Sequence, residues 1–196
     1  MIKKFLFIPI IFLISICGGE DADVTEKSES VENTVNSSAE EPTIDLITAV
    51  IENDLDTVNQ HIAYGSDLDV QDGTFSNTPL NFAGIYGLTD IANALVDAGA
   101  DLNLINDDNF TPLCNAAAWG HTSVVTILLD AGADLSAKCF ETQIGVSVSL
   151  SIAIGAPYSD YIKDLYVDHG EKYNIPYDET KIIDGREKVI ELLRNR

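Results

Sequence analysis

Between Thr43 and Ala137 the chain has no lysine and no arginine, yet it carries fourteen aspartates and glutamates. The whole chain of 196 residues holds 32 acidic against 11 basic side chains, a formal charge of −21. So little positive charge excludes nucleic-acid binding and peripheral attachment to anionic lipid, because both need cations on the surface. It favours a protein partner with a basic surface; solubility, or a salty medium that screens the repulsion, is the alternative. Long hydrophobic runs are scarce too: Phe5 to Ile16, broken by Pro9 and Ser15, is shorter than the roughly 20 residues a spanning helix needs. No glycine-rich phosphate loop, Ser-His-Asp order or pair of supported carboxylates can be placed, so no catalytic residue and no cofactor are assigned. The three histidines, His61, His121 and His169, lack cysteine or carboxylate neighbours at ligand spacing, so no metal is expected. Asp67, Asp69 and Asp72 invite comparison with a calcium loop. However, Gly73 stands one place late, and Thr78 holds the place of the required bidentate glutamate.

With 45% hydrophobic residues, the chain can still bury one modest core. Lys3 and Lys4 followed by the short apolar run form a secretory pattern, giving a signal segment over 1–17. Leu13-Ile14-Ser15-Ile16-Cys17-Gly18 resembles the cleavage box of bacterial lipoproteins. That resemblance implies a lipid on Cys17 and an outer-membrane anchor, with the protein in the periplasm or at the cell surface. Ile16 departs from the small residue usual before the cysteine, and a plain signal peptide cut a few residues later is the alternative. Residues 18–42 hold eight acids and Lys27 as the one base, with no aromatic residue, and read as a disordered tether.

The rest of the chain repeats. Thr78-Pro79-Leu80 returns 33 positions later as Thr111-Pro112-Leu113. Ala98-Gly99-Ala100-Asp101-Leu102 returns at the same shift as Ala131-Gly132-Ala133-Asp134-Leu135. Threonine caps a helix, proline suits its first position, and Gly87 and Gly120 supply the turn to a second helix. Ile91, Leu95 and Val96, then Val124, Val125, Leu128 and Leu129, lie at helical spacing. Two blocks sharing one stride resemble the ankyrin repeat. The resemblance covers residues 43–173. It implies an all-α solenoid of about four helix-turn-helix units with hairpin fingers, and a C-terminal capping segment over 174–196 containing a helix from Ile182 to Leu193. The first unit, Ile44 to Asp69, lacks Thr-Pro-Leu. The fourth is degraded: Leu150, Ala153, Ile162, Leu165, Tyr166 and Gly170 echo the pattern, Lys138 to Val148 lengthens the finger, and Pro157 replaces the turn glycine.

Function follows from the resemblance. Ankyrin stacks bind proteins through finger tips and first helices, and the matching positions here are Phe75, Asn77, Ile85, Tyr86, Asp107, Asp108, Phe110, Ala118 and Trp119. Four aromatics would line one concave strip; alternatively, they pack against neighbouring units. Asn81 and Cys114 hold the slot where the family places a histidine that bonds the next finger. Cys114 and Cys139 form a disulfide in an oxidising compartment, or remain a buried residue and an exposed thiol. The expectation is a monomer that binds a protein, touches membrane through its lipid alone and performs no catalysis. A small-ligand or enzymatic use of the acidic face, or a structural or immunity-type envelope role, stands as the alternative.

Overall fold

Capping chemistry sets where the helices begin. Thr78 and Thr111 are extended, and their hydroxyls accept the N–H of Asn81 and Cys114 at 3.1 and 3.2 Å. Pro79 and Pro112 follow at the first helical position, where an absent N–H is harmless. The first unit reaches the same end with aspartate. Asp45 and Asp54 accept both the backbone N–H and the hydroxyl of Thr48 and Thr57. These bonds hold both carboxyls below the usual carboxylate range. At the turn between paired helices, Gly87 and Gly120 adopt φ of 70° and 78°, a left-handed conformation that side chains resist.

The computed structural model describes residues 40–136, 138–141, 147–149, 167, 170–175 and 177–195, all within one compact unit spanning 37–196. Helices α1 (Leu46–Ile51), α2 (Leu55–Tyr64), α3 (Pro79–Tyr86), α4 (Thr89–Asp97), α5 (Pro112–Ala118) and α6 (Thr122–Asp130) form three successive pairs. First helices stack as α1 on α3 on α5, and second helices as α2 on α4 on α6. Strands β1 (Lys138–Glu141) and β2 (Ser147–Ser149) then pair antiparallel, with an irregularity between Lys138 and Phe140. Helix α7 (Glu179–Arg194) ends the chain. Among the described residues, no helix is long and apolar enough to cross a membrane.

The core runs along the stack. Leu80, Phe82, Ile85, Ile91, Leu95, Leu113, Val124 and Leu128 are fully buried, each worth roughly 1.5–3 kcal/mol of burial. Small residues let the first helices close up: Ala116 and Ala117 are buried, and a Cβ on Gly84 would sit 2.8 Å from the Pro112 carbonyl oxygen. Amides then cross the buried seam. Asn115 Nδ2 donates to Asn81 Oδ1 at 2.7 Å, and Asn106 Nδ2 to Asn77 Oδ1 at 2.8 Å.

The capping helix differs from expectation at its start. It begins at Glu179 rather than Ile182, because Asp178 accepts the Lys181 N–H and provides an earlier cap. It packs on α5 and α6 and thus closes the third unit directly. Gly120 and Gly185 permit the approach: a Cβ on Gly120 would meet Gly185 Cα at 2.8 Å. The signal segment with Cys17, the tether up to residue 39, the fourth-unit positions Leu150, Ala153, Pro157, Ile162, Leu165 and Tyr166, and His169 lie outside the described residues.

Candidate interaction surface

Each finger is built by side chains that replace missing backbone partners. Asp67, Asp101 and Asp134 accept the N–H two residues on, from Asp69, Asn103 and Ser136. The next position reaches the neighbouring finger: Asp69 Oδ1 accepts the Asp101 N–H at 2.8 Å, and Asn103 Oδ1 the Asp134 N–H at 2.9 Å. Asp72 and Asn106 close the tips. Asp72 accepts from Thr74, Phe75 and Asn77, while Asn106 accepts from Asp108 and Phe110. Gln71 also spans fingers, its Nε2 donating to the Ser76 carbonyl and to the Ile105 carbonyl of the next finger.

This chemistry accounts for much of the acidity. Of the fourteen acids between Thr43 and Ala137, seven accept backbone N–H groups: Asp45, Asp54, Asp67, Asp69, Asp72, Asp101 and Asp134. The trio compared with a calcium loop is thus a set of turn and finger fasteners. Among the described residues, no three His, Cys, Asp or Glu side chains converge to hold a metal ion.

The expected contact residues separate into two groups. Asn77, Ile85, Phe110 and Trp119 are 0%, 0%, 5% and 7% exposed, which removes them from an open binding strip. The physical reason is packing: Asn77 belongs to the buried amide seam, and Ile85 and Phe110 belong to the core. Trp119 ends α5 beside the C-terminal segment, where it lines a cleft of about 730 Å³ with His121, Tyr177, Glu179, Lys181 and Ile182. Asp107 is exposed, whereas Phe75, Tyr86, Asp108 and Ala118 are half-buried. Phe75 and Tyr86 face Tyr173, a residue outside every sequence-derived site. The Phe75 and Tyr173 rings meet edge-on at 6.0 Å, and Tyr86 Oη donates to the Tyr173 carbonyl at 2.8 Å.

Sequence reasoning missed three exposed apolar finger residues, at positions that are not equivalent between repeats. Val70, Ile105 and Leu135 are 39%, 50% and 48% exposed, one on each successive finger. The recurring Asp-Leu-Asp, Asp-Leu-Asn and Asp-Leu-Ser triplets at 67, 101 and 134 were the signal that locates these fingers.

The histidine slot has two different solutions. In the second unit Asn81 Nδ2 donates to the Leu104 carbonyl in the following finger, at 3.4 Å. In the third, Cys114 makes a covalent bond to Cys139 in its following finger, with the Cα atoms 5.3 Å apart. Both cysteines are 1% exposed, so Cys139 is not a surface thiol. It sits at the β1 irregularity, where an extra residue can turn a side chain out of register. His61 is structural, bonded to Ser66 Oγ and the Ile44 carbonyl at 2.8 and 2.7 Å. His121 bonds the Ile85 carbonyl at 3.0 Å and covers Gly87, where a Cβ would lie 2.7 Å from its Cε1. Burial lowers the His121 pKa, partly opposed by that hydrogen bond.

Stacked helix pairs with linked fingers define a solenoid, a class whose extended faces serve recognition. The family profile described as "Ankyrin repeats (3 copies)" matches residues 46–139, so the chain carries an ankyrin-repeat domain, a protein-interaction module, over those residues. No curated protein matches the chain.

Proposed function

We propose that this is an exported ankyrin-repeat protein, held at the outer membrane by a lipid on Cys17, which binds a protein partner along its fingers and catalyses nothing. The observation that carries the reading is exposed apolar surface on three successive fingers. Val70, Ile105 and Leu135 present apolar surface on rigidly linked fingers, beside the exposed carboxylate of Asp107. Apolar anchors flanked by charge suit a partner whose surface mixes aliphatic and basic groups. The buried Cys114–Cys139 bridge supports export, since such bonds persist in oxidising compartments.

The test is capture from envelope extracts by wild-type protein and by Ile105→Asp, with far-UV circular dichroism to show equal folding. A basic partner retained by wild type, lost from Ile105→Asp and weakened by salt supports the proposal. Equal capture by both overturns it. Radioactive palmitate should label wild type and spare Cys17→Ser; an unlabelled wild type would remove the anchor.

A further inference from the structure

A second recognition feature lies where the finger tip at Asp72 to Asn77 meets α3. Residues 170–173 are helical and the chain turns out of the helix at Asn174, which adopts φ of 54°, while the Ile175 N–H donates back to the Gly170 carbonyl at 2.9 Å. Asparagine tolerates that left-handed geometry better than most residues. The turn presents Tyr173 to the second repeat. Its ring meets Phe82 edge-on at 5.0 Å and Phe75 at 6.0 Å. Its hydroxyl donates to Asp72 Oδ2 at 3.2 Å and accepts from Asn77 Nδ2 at 3.4 Å. Tyr86 Oη holds the Tyr173 backbone carbonyl.

We propose that Asp72, Phe75, Asn77, Phe82 and Tyr86 form a tyrosine-recognition site, occupied in cis by Tyr173, for which a tyrosine-bearing turn of a protein partner competes. The site matches both halves of a phenol. Two aromatic walls take the ring, and one acceptor and one donor take the hydroxyl. A phenylalanine would remove the hydroxyl that accepts from Asn77 and donates to Asp72, which is how a site built for a hydroxyl rejects its absence. The repeat does not need the visitor to fold. Asp72 closes its finger through three backbone N–H groups, and Thr78 caps α3 without help from Tyr173. Glu171, Lys172 and Asn174 are exposed, so Tyr173 and Ile175 anchor this turn. Docking of α7 at Gly120 keeps the turn close, giving the internal ligand a high effective concentration.

This inference goes beyond the exposed finger residues, and its test is independent of any natural partner. A synthetic peptide of residues 170–177 is titrated to millimolar concentration into isotope-labelled full chain, with amide shifts of Phe75 and Asn77 as the readout. Tyr173→Ala should bind the peptide at least tenfold more tightly than wild type, and adding Phe75→Ala should abolish the gain. The same peptide with phenylalanine at its tyrosine of position 173 should bind severalfold more weakly. Unchanged amide shifts around Gly120 and Gly185 show that α7 stays docked. Equal peptide binding by wild type and Tyr173→Ala, or none by either variant, overturns the proposal. If the peptide behaves as expected while Ile105→Asp leaves partner capture intact, the finger function fails and the tyrosine site stands.

Discussion

Breaking the Cys114–Cys139 bridge tests how much one covalent link contributes to the end of a short solenoid. The bond closes a loop with a sequence separation of 25, and loop closure of that length removes about 3.5 kcal/mol of unfolded-state entropy. Both sulfurs are buried, so reduction leaves two small apolar thiols and little new strain. For a domain of this size each kcal/mol moves the melting temperature by roughly 2–4 °C, so reduction should lower it by about 10 °C. Thermal melts followed by circular dichroism, with and without a phosphine reductant, read the effect directly. Cys139→Ala should melt near the reduced wild type and ignore the reductant. Because each repeat touches only its neighbours, hydrogen exchange should quicken most around Leu128 and least around Val58. A wild type whose melting point moves by less than about 1 °C, while thiol titration shows both sulfurs released, would refute the chain-entropy argument.

Three further perturbations probe other joints. His121 is held neutral by burial, so its contribution is complete above its ordinary pKa of 6.5 and is lost as pH falls through the lowered folded value. His121→Gln should therefore flatten the fall in melting temperature between about pH 7 and 5, and an unchanged slope would exclude this ring as the cause. Asp45, Asp54 and Asp134 lose their hydrogen-bonded charge only below the carboxylate value of 3.8, which keeps the two windows apart. Gly185→Ala places a methyl 2.8 Å from Gly120 Cα, backbone that cannot yield; the overpacking should cost about 1–3 kcal/mol, read as faster exchange across α7 with exposed Glu187→Ala as the neutral control. Asn115→Ala leaves Asn81 Oδ1 without its buried donor, a loss of about 1–3 kcal/mol in denaturant melts. The double change with Asn81→Ala should cost less than the sum of the two.

The repeating part of this fold was legible because the same physics recurs at one stride. Thr-Pro pairs start α3 and α5, Gly87 and Gly120 turn the chain, and Ile91, Leu95, Val124 and Leu128 are buried as their spacing required. Periodicity says nothing about a segment that does not repeat. Tyr173 meets Asn77 across 96 residues, and its own sequence, Lys-Tyr-Asn-Ile, carries no sign of where it docks. The aromatic strip failed for a related reason. Position within a consensus gives the direction of a side chain, but Phe110 and Trp119 were buried by neighbours that the consensus does not specify. The cysteine slot was half legible: Cys114 occupies the place of a finger-binding histidine, and only geometry shows Cys139 arriving at that place to bond it.

That slot equivalence has a consequence for how the stack transmits force. Asn81 adds one hydrogen bond of 3.4 Å to a finger that Asp69, Gln71 and Asn106 also fasten, whereas Cys114 holds the next finger with a covalent bond. Losing the Asn81 bond therefore leaves the finger at Leu104 tied to its neighbour, and Tyr173 meets Asp72, Phe75 and Asn77 on the finger before it. Amide shifts of Phe75 should accordingly change little when Asn81 is replaced by a residue that cannot reach Leu104. Reducing Cys114–Cys139 should also leave them nearly unchanged.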